Sequence, residues 1–296
     1  MTADRVKVPG AELYCEVAGH GPALLLIAGG GGDAGMYEEV VPKLAQRFTV
    51  LTYDRRGNSR SHFTDADPDI GIAAQMGDAV AVLDHHGMDR AHIFGSSGGA
   101  LIALDLLARH PTRVASLVAH EPPLMSLLPD DSPERRELVS IFDLAKRSPL
   151  RAYAAFGAMI MTNPPWLFRS QLGQATIAGA TRVALLVGAA WRRLSGRQPD
   201  SMTRQLGNAD LLLRRELPVI AFEYEADEQA LRSVDVPWCL AVGQESAGKP
   251  YHRPALVLSQ RLGVPCEVFP GGHTLYVEDP AAFADALLNV LEGLSE

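Results

Sequence analysis

Residues 95–99 read Gly-Ser-Ser-Gly-Gly and constrain the fold more than any other stretch of this chain. A short apolar run (residues 91–94) precedes them, and apolar residues three and four positions apart follow them. This pattern predicts a strand that turns directly into a helix. Gly95 and Gly99, two residues either side of Ser97, would let the strand and the helix approach closely around a strained turn.

The serine at the centre of this turn is a candidate nucleophile. The string fits G-x-S-x-G with Ser97 in the middle, whereas centring it on Ser96 would put Phe94 where a small residue is needed. At the start of the helix, the Gly98 N–H and the helix dipole would point at an oxyanion formed beside Ser97. A plain Gly/Ser turn or a phosphate-binding loop would carry the same string, and the rest of the chain distinguishes these possibilities.

Composition describes an ordinary globular protein. The chain has 296 residues, of which 47% are hydrophobic and 21% charged, with a formal net charge of −8. No basic cluster is longer than two residues, so neither nucleic acid nor an anionic membrane is expected as a partner. The N-terminus lacks the apolar core of a signal peptide and no uninterrupted apolar run reaches ~18 residues, which predicts a cytoplasmic protein without a membrane-spanning helix. Three cysteines in strand-like runs suggest neither a disulfide framework nor a metal site.

Strand-like and helix-like segments alternate at both ends of the chain. Strands are predicted over residues 5–8, 12–17, 23–28, 48–53, 91–94, 114–119, 237–242 and 266–269, and helices over residues 36–47, 70–86, 253–262 and 280–294. Such alternation predicts a mostly parallel sheet flanked by helices. Between them, residues 122–234 are helix-like and broken by prolines, with residues 218–222 as the one candidate strand. We therefore expect a core domain of residues 1–121 and 236–296 and a helical cap of residues 122–235.

The strand–turn–helix around Ser97 resembles the α/β-hydrolase superfamily, and two further motifs carry the same resemblance. Residues 54–59, Asp-Arg-Arg-Gly-Asn-Ser, match a turn common in that superfamily, in which Asp54 and Arg56 are expected to fix loops below the site. Residues 270–273 read Pro-Gly-Gly-His after the last predicted strand. The resemblance implies that His273 is the base that activates Ser97, and that no cofactor or metal is required.

The acid of the expected triad departs from the usual pattern. Most α/β-hydrolases carry an aspartate after the strand that corresponds to residues 237–242, where this chain has Ser246, with Glu245 one residue earlier. Glu121 follows the preceding strand, as the acid does in a subset that includes fungal zearalenone lactonases. The resemblance therefore implies Glu121 as the acid, with Glu245 or Asp227 as the alternatives; Glu121 could instead be a pocket-rim carboxylate or a helix cap.

The resemblance also implies the oxyanion hole. The family usually has His-Gly-x after the strand of residues 23–28, and this chain has Ala28-Gly29-Gly30. By that match the Gly30 N–H acts with the Gly98 N–H, and Gly31 is the near alternative.

The larger apolar residues of the expected cap suggest an apolar pocket over Ser97. The candidate lining residues are Gly31, Phe156, Met159, Trp166 and Trp191. We expect a serine hydrolase that cleaves a bulky, hydrophobic ester or lactone. The same triad could serve C–C hydrolysis, thioester cleavage, perhydrolysis or elimination, and a non-catalytic ligand receptor could share the fold. The oligomeric state stays open, a homodimer included.

Overall fold

A nine-stranded sheet forms the centre of the molecule in a computed structural model, which describes residues 2–294. The strands are, in chain order, β1 (Thr2–Val8), β2 (Ala11–Gly19), β3 (Ala23–Ile27), β4 (Thr49–Tyr53), β5 (His62–Phe63), β6 (Ala91–Ser96), β7 (Val114–His120), β8 (Trp238–Gly243) and β9 (Cys266–Phe269). They lie in the order β1-β2-β4-β3-β6-β7-β8-β9, with β5 paired to β2. Pairing is antiparallel around β2 and parallel from β4 to β9, so the predicted mostly parallel sheet is confirmed.

Helices cover both faces of this sheet. They are α1 (Val41–Leu44), α2 (Ile72–His85), α3 (Gly98–Arg109), α4 (Pro133–Arg147), α5 (Pro149–Ile160), α6 (Trp166–Arg169), α7 (Gln171–Ser195), α8 (Ser201–Gly207), α9 (Ala209–Leu211), α10 (Glu228–Ser233), α11 (His252–Leu262), α12 (Leu275–Glu278) and α13 (Pro280–Gly293). Strand β3 shows why both faces are covered. Its residues alternate between two apolar clusters, with Leu25 and Ile27 facing α2 and α3, and Leu24 and Leu26 facing α1 and α13. A strand buried on both faces has to be apolar throughout, as this one is.

The segment between β7 and β8, residues 121–237, is a helical insertion that contains α4 to α10. It has an apolar cluster of its own, to which α4 contributes Leu138 and Ile141 and α5 contributes Phe156 and Met159. This cluster also takes in Tyr251 from the segment after β8, so the insertion is packed onto the sheet domain. The division at residues 122 and 235 into cap and core stays a prediction.

Two local predictions are wrong. The candidate strand at residues 218–222 is helical, because Pro218 adopts helical angles and Val219–Glu223 continues as a wide turn of helix. A short apolar run does not distinguish a buried strand from a buried helix. The helix predicted over residues 36–47 is instead a short 3-10 turn, Ala34–Tyr37, followed by the single turn of α1.

Helix α7 is long and apolar enough, by length and composition alone, to cross a membrane, and among residues 2–294 it is the one helix that meets this test. The expectation of no such helix was based on uninterrupted apolar runs, whereas α7 is apolar on average and interrupted by Arg182. Only 11% of its most apolar stretch is buried inside the molecule.

Candidate active site

Ser97 occupies the turn between β6 and α3 in a strained conformation. Its φ is 54° and ψ −121°, a region that residues with a side chain rarely adopt and that costs about 1–3 kcal/mol. Its N–H donates to the carbonyl of His120 at 2.8 Å, which holds the turn to β7. A Cβ on Gly95 would lie 2.4 Å from the Gly99 oxygen, and one on Gly99 2.3 Å from the Ile27 oxygen. The backbone can therefore make this turn only with glycine at both positions.

His273 and Glu121 form a buried hydrogen bond. Nδ1 of His273 lies 2.5 Å from Oε2 of Glu121, and the side chains are 4% and 0% exposed. The other carboxylate oxygen, Oε1, accepts the N–H of Gly243 at 2.8 Å. A carboxylate at this position fixes the imidazole tautomer with its proton on Nδ1, which leaves Nε2 as the basic nitrogen. Glu121 thus holds both the orientation and the protonation state of His273.

The backbone and the charge of Glu121 are set by its position at the end of β7. Its φ is 49°, and its N–H donates to Ala241 at 2.9 Å, so the chain bends sharply there while it stays bound to β8. Burial alone would raise the pKa of this carboxyl. His120, the His273 hydrogen bond and the Gly243 N–H outweigh burial and lower the pKa to about 2. Glu121 is therefore ionised at neutral pH.

A second histidine, His120, lies directly beneath this pair. Its Nε2 is 3.9 Å from Oε2 of Glu121, and its ring stacks on that of His273 with centroids 5.9 Å apart. Complete burial lowers its pKa to about 4, although the nearby Glu121 charge opposes the shift. At neutral pH His120 is uncharged, so it is packed there as a neutral ring.

Tyr251 packs against the outer face of His273. The two rings are nearly parallel, with centroids 3.7 Å apart and planes tilted by 24°. The Tyr251 hydroxyl reaches the carbonyls of Met159 and Ile160, both at 3.4 Å, at the end of α5. Nearby, the Lys249 ammonium donates to the Met159 carbonyl at 3.0 Å. The segment that supports His273 is therefore bonded to the insertion.

The two expected oxyanion donors lie in the same cavity as Ser97. Gly98 begins α3, where a helix leaves its first N–H groups without intrahelical acceptors. The N–H of Gly30 has no backbone acceptor within residues 2–294. Gly29 abuts Ser97, since a Cβ there would lie 2.9 Å from Cβ of Ser97. Both amides are therefore free to bind an oxygen near Ser97.

A buried arginine holds the loop that carries Gly30. Arg55 donates to the Gly29 carbonyl at 2.9 Å and forms a two-point ion pair with Glu216, both contacts also at 2.9 Å. These two side chains are 1% and 0% exposed, and Glu216 belongs to the insertion. One ion pair thus connects the loop that carries Gly30 to the insertion.

Further polar contacts join the insertion to the same loop. Arg204 of α8 pairs with the buried Asp33 at 2.6 Å, and Asn208 donates to the Gly31 carbonyl at 2.7 Å.

The turn at residues 54–59, predicted to be structural, is also built as an ion-pair network. Asp54 accepts the Ala34 N–H, and Arg56 pairs with Asp78 at 2.6 Å.

The cavity above Ser97 is small and almost entirely apolar. Its volume is about 30 Å³, and it is lined by Gly30, Ser97, Gly98, Pro123, Leu138, Phe156, Met159, Ile160, Leu212, Leu217, Ile220, Pro250, Tyr251 and His273. Of the predicted lining residues, Phe156 and Met159 lie here. Gly31 lies beside Gln205 of α8 instead. The prediction that Trp166 and Trp191 line the pocket is wrong, because they are 73% and 62% exposed on the outer surface of the insertion.

The alternative acids lie elsewhere. Glu245 is exposed, and Asp227 accepts the N–H of Ala230 as the N-cap of α10. Ser246 packs against Gly243, with its hydroxyl buried and unpartnered.

Three residues that contact the site, Tyr251, Arg55 and Glu216, were not predicted from the sequence. Arg55 lies within the recognised turn, but neither of the other two carries a local signal.

His120, Glu121 and His273 have ligand atoms within 4.8 Å of one another, a grouping that could in principle hold a metal ion. The 2.5 Å contact between Nδ1 and Oε2 is the length of a strong charge-assisted hydrogen bond, which occupies both atoms. The arrangement is therefore suited to moving a proton.

Comparisons with known proteins agree with this architecture. The family model for the α/β-hydrolase fold matches residues 22–151. YraK, an uncharacterised hydrolase of Bacillus subtilis, is 32% identical over 292 residues, which are 97% of this chain and 95% of that protein. RutD of Azorhizobium caulinodans, a putative carbamate hydrolase, is 28% identical over 289 residues, 94% of each chain. The enol-lactonase of Burkholderia xenovorans LB400 shares the fold, with a TM-score of 0.68 and 20% identity over 98% of this chain and all of that one.

Proposed function

Because this chain belongs to the α/β-hydrolase family, we propose that it is a serine hydrolase that cleaves a carboxylic ester or lactone. The predicted membership is confirmed; the closer likeness to zearalenone lactonases stays a prediction. One observation carries the proposal. A buried carboxylate–imidazole hydrogen bond, Glu121 to His273, reaches the same cavity as a strained serine at a helix N-terminus. These are the parts that nucleophilic acyl transfer requires.

In the first half of the reaction, Nε2 of His273 takes the proton of the Ser97 hydroxyl as Oγ attacks the substrate carbonyl. The tetrahedral oxyanion binds the N–H groups of Gly30 and Gly98, each worth ~3 kcal/mol of barrier in comparable sites. His273 then gives its proton to the leaving alkoxide and the acyl–oxygen bond breaks. In the second half, His273 takes a proton from water, the hydroxide attacks the acyl-enzyme, and the carboxylic acid leaves as Ser97 is reprotonated.

The substrate that fits this site is apolar around its carbonyl. Within residues 2–294, no lysine or arginine lines the cavity, so neither a phosphorylated nor a carboxylate-bearing acyl group would find a countercharge there. The volume of about 30 Å³ has room for little more than a water molecule. A bulky ester or lactone therefore enters only when the insertion moves away from Ser97.

A carbamate is the second candidate substrate. The relative that is 28% identical over 94% of this chain is a putative carbamate hydrolase. A carbamate carbonyl meets the same nucleophile and oxyanion donors as an ester carbonyl.

Labelling with a fluorophosphonate probe tests the proposal, since such probes react with an activated serine. We expect the wild type and Ser96→Ala to be labelled, and Ser97→Ala to be unlabelled. Hydrolysis of p-nitrophenyl esters, lactones, thioesters and an aryl carbamate would then rank the reaction classes. A wild type that is neither labelled nor active on the panel, yet binds such molecules, would be a receptor.

A further inference from the structure

The outward face of α7 is mostly apolar, with the exposed Thr176 interrupting it near the start of the helix. Its exposed fractions are 80% for Leu172, 61% for Val183, 66% for Leu186, 63% for Val187 and 85% for Leu194. With about 3.6 residues per turn, these residues fall on one side of the helix and form a stripe, densest from Val183 to Leu194, which we call the α7 stripe.

The opposite side of α7 packs against the rest of the insertion. Gly173 and Ala178 are buried, and α7 packs along α5 and α6 of the insertion. A surface helix normally turns polar residues to solvent when its other side packs on the protein. The α7 stripe breaks that rule over about six turns of helix, which marks it as a contact surface.

The sequence that contains α7 is basic, which favours an anionic contact. Residues 144–199 contain eight basic residues and no acidic one, in a chain whose net charge is −8. Arg182 and Arg193 fall together along one edge of the stripe, and both are exposed. An apolar stripe bordered by arginine is the pattern of a helix that lies in the interface of an anionic bilayer.

The aromatic residues of this region agree with that placement. Trp166, in α6, and Trp191, near the end of α7, are 73% and 62% exposed. Tryptophan is enriched at the boundary between water and lipid, because its ring is apolar and its N–H is polar. Neither tryptophan lines the cavity, and contact with a lipid surface would account for their exposure.

A second copy of the chain is the rival occupant, and charge disfavours it. A two-fold interface places the same surface patch on both subunits, so Arg182 and Arg193 of one copy would face an α7 helix that contains no acidic residue. An acidic face elsewhere on the second copy would give a head-to-tail contact that does not close into a dimer.

We propose that α7 docks this protein peripherally on an anionic lipid surface, with the α7 stripe in the lipid and its arginines at the headgroups. An anionic membrane was not expected from the sequence because no more than two basic residues are adjacent. That criterion does not detect charges that are spread over 56 residues without a single acid. Docking would place α5, whose Phe156, Met159 and Ile160 line the cavity, directly behind the lipid-bound helix.

Vesicle co-sedimentation tests this with the full chain. We expect binding to vesicles of equimolar phosphatidylcholine and phosphatidylglycerol, and much weaker binding to phosphatidylcholine alone. The double variant L186E/L194E should lose binding more than tenfold. R182Q/R193Q should weaken it roughly 10- to 30-fold and reduce its salt dependence. V268E, which puts the same charge at a site 64% exposed on β9, is the matched control and should bind as the wild type does.

A second measurement locates the contact. Vesicles with brominated acyl chains should quench Trp166 and Trp191, and W166F/W191F should leave only the unquenched emission of Trp238, which is 6% exposed. Three results would overturn the proposal: no vesicle binding, equal binding to both kinds of vesicle, or a wild-type dimer in light scattering that L186E/L194E dissociates. Because none of these readouts uses catalysis, they are independent of the proposed hydrolase reaction.

Discussion

The ring of Tyr251 lies against that of His273 with centroids 3.7 Å apart, while its hydroxyl lies 3.4 Å from the Met159 and Ile160 carbonyls of the insertion. One side chain thus touches both the proposed base and the segment that closes the cavity. In the proposed reaction, a bulky substrate enters this cavity of about 30 Å³ only when the insertion moves. The contact implies that His273 is fully supported only when the insertion is closed.

Tyr251→Leu should therefore lower kcat roughly tenfold or more, because the imidazole loses the flat surface that fixes its orientation. Tyr251→Phe keeps that surface and loses only two long contacts, so its kcat should stay within about threefold of wild type. Steady-state kinetics on an active ester would measure both variants.

Comparing Tyr251→Leu with Tyr251→Phe distinguishes a residue that positions His273 from one that only stabilises the fold. If both variants lose activity in proportion to their loss of thermal stability, Tyr251 only packs the cavity wall. Rescue of kcat by phenylalanine, with similar melting temperatures for the two variants, supports a positioning role.

Glu121→Gln should leave the fold intact and lower kcat by about 10³–10⁴, the scale seen when the acid of a comparable triad is amidated. The amide can present its N–H₂ group to Nδ1, which reverses the tautomer and protonates the nitrogen that Ser97 needs as a base. Glu245→Gln is the matched control and should behave as wild type, since Glu245 is exposed. Near-normal turnover by Glu121→Gln would assign the role of the acid to another residue.

The two ends of the sheet domain could be predicted because the signals there are local. Buried strands appear as apolar runs, and the glycines at positions 95 and 99 that the turn at Ser97 demands both stand in the G-x-S-x-G string, although the clash at Gly99 would be with Ile27 of β3. The position of Glu121 near Ser97 could also be predicted, because the carboxyl ends of neighbouring parallel strands meet at one edge of a sheet. Its bond to His273 spans 152 positions and follows from the strand order.

Glu216→Gln tests the ion pair that connects the insertion to the loop that carries Gly30. The substitution leaves the buried Arg55 guanidinium without its charge partner, and breaking such a pair costs about 3–5 kcal/mol of unfolding free energy. Urea unfolding would measure the loss. Asp210→Asn, which breaks a largely exposed ion pair with Arg214, should change stability little.

Activity should respond to the same substitution. Arg55 also binds the Gly29 carbonyl, so a displaced guanidinium would disturb the loop that carries Gly30. We expect kcat to fall in Glu216→Gln even at temperatures where the variant is fully folded. A stable, fully active variant would contradict this coupling.

The contacts of the insertion could not be predicted in this way. Nothing in the sequence around Glu216 marks it as buried, because its partner is 161 positions away and its neighbours, Arg214 and Arg215, suggest a solvated face. The prediction that Trp166 and Trp191 line the pocket was wrong for the opposite reason. Large aromatic residues are usually buried, and only the packing of α7 shows that these two face outward.

The stability of the protein should fall on the acid side because His120 is buried and neutral. Its pKa is lowered from 6.5 to about 4 by burial, so the unfolded chain takes up a proton below pH 6.5 that the folded chain refuses. The unfolded state then binds more protons, and stability declines as the pH falls. Between pH 6.5 and 4.5 the loss should be roughly 2–3 kcal/mol. Below pH 4.5 Glu121 adds a further loss of stability, because its pKa is lowered from 4.5 to about 2 in the folded protein and only the unfolded chain takes up its proton in that range.

His120→Gln should flatten this decline, since it removes the titrating group while keeping a polar side chain of similar length beside Ser96 and Glu121. Urea unfolding at several pH values between 4.5 and 7.5 would compare the slopes. His20→Gln, at an exposed position in the turn before β3, should keep the slope of the wild type. An unchanged slope in His120→Gln would mean that His120 already binds its proton in the folded protein, and that another group causes any acid sensitivity.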